Sequence, residues 1–156
     1  MKRIVATGLL LFTAACASRS GAEDPGFGPA LTIERFLQAA SEVAQLSEAQ
    51  GPGAARMADE IETMARLFGT SDGPIIDRDP RDEVEQRMFL IAEILEHTNY
   101  ELAGERAVPG RSREAIEVVV RLTNERGDTY DVPFTVVQSN DGWLIENIEL
   151  EAITNR

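Results

Sequence analysis

The alternation of apolar and polar positions changes period once along this chain, and that change divides it into a helical half and a sheet half. Ile33, Phe36, Leu37, Ala40, Val43 and Ala44 fall on one helical stripe, which predicts a first helix over Thr32–Leu46 with Thr32 as its N-cap. Gly51-Pro52-Gly53 then breaks the chain. Met57, Ala58, Ile61, Met64, Ala65 and Phe68 share one face of a second helix over Ala54–Phe68, with Gly69 at the stop position. Residues 69–78 carry turn signals around Ile75 and Ile76, where a minor strand is expected. A third helix opens with Asp79 as cap and Pro80 as its first residue, and Asp82 and Glu83 suit the positive end of its dipole. Its stripe is Val84, Met88, Ile91, Ala92 and Leu95. Phe89, Leu90 and Ile94 widen that stripe and predict burial on more than one side.

From there the period is two. A strand is expected over Tyr100–Arg106, ended by the Pro109-Gly110 turn. In Arg113–Thr123, Ile116, Val118, Val120 and Leu122 alternate with Glu117, Val119, Arg121 and Thr123. Asn124–Asp128, with Gly127, reads as a hairpin loop. Tyr130, Val132, Phe134 and Val136 then form the inward phase of the next strand, and Pro133 makes one of its sides an edge or a bulge. Asn140-Asp141-Gly142 is a tight turn. In the last strand Trp143 and Ile145 lie on one phase, Ile148 and Leu150 on the other, so a bulge is expected near Asn147. Three helices followed by an antiparallel meander of about four strands is an α+β arrangement, with the helices on one face of a curved sheet.

The start of the chain adds an address. Lys2 and Arg3 precede an uncharged run, Ile4–Ala15, which is too short for a bilayer-spanning helix of roughly 20 residues. The layout is that of a secretory signal, residues 1–15. Thr13-Ala14-Ala15-Cys16 resembles a bacterial lipobox, in which the Cys is acylated and becomes the new N-terminus, although the pattern prefers Leu where Thr13 stands. Cys16 is the one cysteine of the chain, and lipidation would leave no unpaired thiol in an oxidising compartment. Residues 16–30, rich in Gly, Pro, Ser and charge, then read as a lipidated Cys and a flexible tether to a domain over 31–153. The alternative is plain secretion with cleavage after Ala17. The expected location is the bacterial cell envelope, facing the periplasm or the exterior, with a membrane partner through Cys16.

Cleavage before Cys16 removes 15 residues, leaves 141, and takes away Lys2 and Arg3 but no acid, so the formal charge goes from −12 to −14. That length suffices for one core. The acidic balance excludes nucleic acid as a partner, because phosphate neutralisation needs a basic stripe. The acidic knot Asp77, Asp79, Asp82, Glu83 and Glu85 fails the calcium-loop pattern, since counting from Asp77 the Gly and Glu positions hold Asp82 and Met88. It reads as helix capping and a solvated face. No metal and no cofactor is expected.

At this point the chain resembles the nuclear transport factor 2-like superfamily, which includes ketosteroid isomerase-like and SnoaL-like domains and small bacterial lipoproteins. The residues that carry the resemblance are Ile33-x-x-Phe36-Leu37, Met64-Ala65-Arg66-Leu67-Phe68, and the Asp141-Gly142-Trp143 turn leading into Leu144-Ile145. It covers about residues 31–153 and implies a cone-shaped, cystatin-like wrap of sheet over helices around an apolar pocket. Pocket candidates are then Phe36, Met64, Phe134 and Trp143. The resemblance implies no reaction, because this fold hosts enzymes, binding proteins and assembly domains alike. Its enzymes often place an Asp–His or Tyr–Asp pair inside the cone. Here His97, the single histidine, and Tyr100 and Tyr130 are the polar candidates, and no spacing assigns an acid to them.

Three functions follow. The first is non-catalytic binding of a small apolar molecule or a peptide in the cone. The second is an interaction or assembly domain, such as a homodimer, using the outer sheet face, where Val119 and Val137 lie on the off-core phase. The third is a small isomerase or hydratase built on His97 with Tyr100 or Tyr130, which requires His97 to point into the cavity. The absence of a catalytic constellation in the sequence favours the non-enzymatic readings.

Overall fold

The computed structural model describes residues 28–48, 53–111 and 113–154; the expected signal, Cys16 and most of the expected tether lie outside them. Helix α1 (Pro29–Glu48) is followed by α2 (Ala54–Leu67), the two-residue strands β1 (Gly69–Thr70) and β2 (Gly73–Pro74), a single 3₁₀ turn (Ile75–Asp77) and α3 (Arg81–Ile94). Four long strands come next: β3 (Asn99–Ala107), β4 (Ala115–Thr123), β5 (Thr129–Ser139) and β6 (Gly142–Ile148), with a last turn of helix, α4 (Glu151–Thr154). The sheet is antiparallel in the order β3-β4-β5-β6. The fold is α+β, with helices followed by a curved four-strand antiparallel sheet.

Helix α1 starts earlier than its apolar stripe. Thr32 is not the cap but a wholly buried residue of the first turn, and its amide and Oγ1 both donate to the Gly28 carbonyl at 3.0 and 3.2 Å. Asp79 does not cap α3 either. Pro80, in extended conformation, occupies that position with no side-chain cap, and Asp79 accepts from Arg87 at 3.4 Å instead. Ile75 and Ile76 form no strand. The chain turns back through β1 and β2, and Ile75 is delivered to the core by the 3₁₀ turn that follows. Helix α3 is less buried than its sequence implies, because Leu90 is 51% exposed. A stripe of Val84, Met88, Ile91 and Ala92 suffices to seat it.

The core joins the helical stripes to the inward phase of the sheet. Ile33, Phe36, Leu37, Met64, Met88, Val118, Val120, Leu122, Val132, Phe134, Val136 and Ile145 pack in one cluster. Burying each large side chain is worth about 1.5–3 kcal/mol. On β6 the register shifts between Thr135 and Val136, which pair with Asn147 and Ile145 and leave Glu146 as the extra residue. This bulge returns Ile148 to the inward phase, where it packs against the core. Pro133 lies on an interior strand without cost to the ladder. Its carbonyl accepts from Glu149 on the β6 side, so its missing N–H faces that side too, just beyond the last pair, Phe134↔Ile148.

Candidate functional site

The cone is packed around three of the four expected pocket residues. Phe36, Met64 and Phe134 are each 0% exposed in the main core cluster. A side chain bordering a water-sized void would carry accessible surface, so these three are filling rather than lining. Phe36 stacks at a tilt on Phe68, ring centres 6.2 Å apart, and Phe68 makes a parallel bridge to Ile145 that closes the β6 side of the sheet. Trp143 is half-buried against the same core and pairs with Gln138 across the hairpin.

The outer sheet face is also partly self-covered. Val137 is 2% exposed and packs with Ala115 and Leu144 beneath Val108 in a second, smaller cluster. Arg111 reaches over to Glu146 with two parallel hydrogen bonds. Val137 is therefore not the open apolar position expected for an assembly face; Val119 remains half-exposed.

A concave surface lies outside the cone. A groove of about 410 Å³ runs between α1 and the start of β3, lined by Gln38, Ser41, Glu42, Gln45, His97, Thr98, Asn99 and Tyr100. Gln38, Ser41, Glu42 and Gln45 fall at i, i+3, i+4 and i+7, so they form one polar stripe on the helix side opposite its core stripe. Gln45 donates to Ser41 at 3.1 Å, and Glu42 accepts from Arg56 at 2.6 Å.

His97 belongs to this groove and not to the core. It lies past the end of α3, and its Nδ1 is 2.7 Å from the Leu95 carbonyl. A carbonyl only accepts, so Nδ1 carries the proton and donates. The His97 ring meets Tyr100 edge-on, centres 5.7 Å apart at 78°. Burial raises the Tyr100 pKa above its ordinary value, helped by the charge of Glu34, so this hydroxyl stays protonated and able to donate. Tyr130 does not join them. It lines a separate shallow groove with Glu93, Glu96 and Asn124, and its hydroxyl takes a hydrogen bond from Asn124 at 3.2 Å.

The structure thus unites His97 with Tyr100, separates both from Tyr130, and turns the site to solvent. Water exclusion, which an isomerase or hydratase site uses to strengthen its electrostatics, is not provided by an open polar groove. Gln38, Ser41, Gln45 and Asn99 were not singled out in the sequence. The helical spacing of Gln38, Ser41 and Gln45 was visible, but a polar stripe becomes a groove wall only when another element, here the start of β3 with Asn99, stands beside it.

No protein-family model matches the chain, and no curated protein matches it in sequence. Solved structures similar to it include a designed nuclear transport factor 2-like protein, 15% identical, covering 76% of this chain and 95% of that one at a TM-score of 0.38. Mtr2 of Candida albicans is 16% identical, covering 75% of this chain and 88% of that one, also at 0.38. The element order and sheet register of the chain itself, not these two likenesses, define its fold.

Proposed function

We propose that this protein is a non-catalytic binding module of the bacterial cell envelope, anchored through a lipidated Cys16, that takes its ligand in the groove between α1 and β3. The groove carries the reading. It offers convergent amide, hydroxyl and imidazole groups at a volume within the usual range for small-ligand sites, about 300–1,000 Å³. Because the lining is polar and the cone is filled around Phe36, Met64 and Phe134, the ligand is a polar molecule or a peptide rather than the small apolar one expected from the sequence. Native mass spectrometry of the processed protein from an expressing bacterium is the test. An extra mass that is lost on denaturation, and lost in a Gln38→Arg variant that fills the groove, supports the reading. An extra mass indifferent to Gln38→Arg overturns it. Anchoring is tested separately: Cys16→Ser should move the protein from the membrane to the soluble fraction.

A catalytic second reading has one observation in its favour, the contact between His97 and Tyr100. It requires turnover that falls with His97→Gln while ligand retention does not.

A further inference from the structure

We infer that the groove and the edge of β3 beside it form a docking site for an extended, basic peptide segment of another protein, added to the sheet as a fifth strand. This rests on the groove being the binding site. The ladder itself shows that the edge is open. Val108 donates to the Ala115 carbonyl and Thr98 to the Thr123 carbonyl, so the odd-numbered residues of β4 turn toward β3. Their partners Glu101, Gly104 and Arg106 are consumed in that ladder. Tyr100, Leu102, Glu105 and Ala107 therefore turn their amides and carbonyls the other way, and among the described residues no strand pairs with them. An edge of that kind recruits a strand through main-chain hydrogen bonds, with side-chain pockets giving selectivity.

The groove lies where such a strand would need it. Tyr100 and Leu102 lean inward onto the core, so the inward side chains of an added neighbour would descend between them and the stripe Gln38, Ser41 and Gln45. Glutamine and serine both donate and accept, which suits polar side chains of varied kind.

Charge selects the occupant. Glu34 is close enough to act on Tyr100, Glu105 stands on the strand, and Glu42 in the groove and Glu101 on the strand add carboxylates that already face Arg56 at 2.6 Å and Arg121 at 3.9 Å. The basic residue of the strand, Arg106, is already held by Glu117 at 2.7 Å. A second copy would bring another chain of formal charge −12 and a second set of these carboxylates to the same edge. A strand carrying arginine or lysine would meet complementary charge instead.

The test uses a fluorescein-labelled peptide of alternating arginine and threonine. Its controls have glutamate in place of arginine, or alternate amides N-methylated so that they cannot pair. Anisotropy should show saturable binding, about tenfold or more tighter than either control. Hydrogen exchange followed by NMR should show the amides of Tyr100, Leu102, Glu105 and Ala107 slowed by the peptide, with those of Glu101, Gly104 and Arg106 unchanged. Ala107→Pro, which removes one outward N–H and none of the β4 ladder, should weaken binding while circular dichroism stays the same. Equal affinity for the arginine and glutamate peptides overturns the inference, as does peptide binding that leaves the four amides open. Slow exchange at those amides without peptide, together with a dimeric mass, assigns the edge to a second copy and overturns it too. If a native ligand is lost with Gln38→Arg while the four amides never respond, the groove reading stands and the added strand falls.

Discussion

Gly69 admits no side chain. A Cβ there would meet the backbone of β2, running into the Gly73 carbonyl and coming within 2.8 Å of the Pro74 Cα, because β1 and β2 fold back on each other at that point. Backbone cannot rotate away as a side chain can, so Gly69→Ala should cost about 1–3 kcal/mol in urea unfolding. Gly104→Ala is the contrast. Its Cβ would enter open space with no positive φ to strain it, and its effect should stay within about 0.5 kcal/mol. Glu60 gives a pH prediction of definite sign. Burial first, and then the charge of Glu42, raise its pKa above 4.5. The folded state therefore holds this proton more tightly than the unfolded state, and its contribution to stability is lost as pH rises through the raised value. Glu60→Gln should raise the thermal midpoint at neutral pH, and the gain over the parent should vanish below pH 4.5. At this scale the apolar periodicity marked nearly every core residue. It did not tell wall from filling. Phe36, Met64 and Phe134 were placed inward correctly, but the exclusion of void around them depends on neighbours from α2, α3 and three strands, which no local spacing records.

Each element carries a signal of different reach. The bulge on β6 was legible because a one-residue phase slip between Ile145 and Ile148 has no other economical cause in an antiparallel strand. The turn at Ile75 was not, since two apolar residues between turn signals fit a strand or a 3₁₀ turn equally. The open edge of β3 was hidden as well. Strand order is a property of the whole sheet, and nothing within Asn99–Ala107 says that only one side of it is paired. The small outer cluster yields a prediction at this scale. It is held by apolar packing of Ala115, Val137 and Leu144 and latched by Arg111 on Glu146. The latch is partly exposed, with side-chain accessibilities of 42% and 21%, so its worth is discounted by solvent. Leu144→Ala should cost about 2–5 kcal/mol in chemical denaturation, and Arg111→Ala no more than about 1. If the arginine costs as much as the leucine, the loop over Val108 is held by charge and not by packing.

Across the whole molecule acids outnumber bases, and among the described residues seven arginines are held by acids. Arg56, Arg66, Arg81, Arg87, Arg106, Arg111 and Arg121 each contact a carboxylate. The formal charge of −12 is the excess of acids over bases, and it acts at a distance as well as in contact. Such a field attracts a basic peptide before any hydrogen bond to β3 forms, which raises the rate of association more than it slows dissociation. Salt separates the two effects. The screening length is about 10 Å at 0.1 M ionic strength and about 3 Å at 1 M, so added salt removes the long-range pull and acts less on hydrogen bonds made in contact. Stopped-flow fluorescence with the arginine–threonine peptide should show the association rate constant falling steeply as salt rises from low to molar, with dissociation changing by a smaller factor. The glutamate peptide should show the reverse trend in association. An arginine peptide whose association ignores salt would mean that recognition is local, made in the groove and on the strand edge, and that the acidic surface serves only solubility. A dissociation rate that climbs as steeply as association falls would place the decisive carboxylates at the exposed rim, on Glu101, whose side chain is 69% accessible, rather than in the groove on Glu42, at 26%.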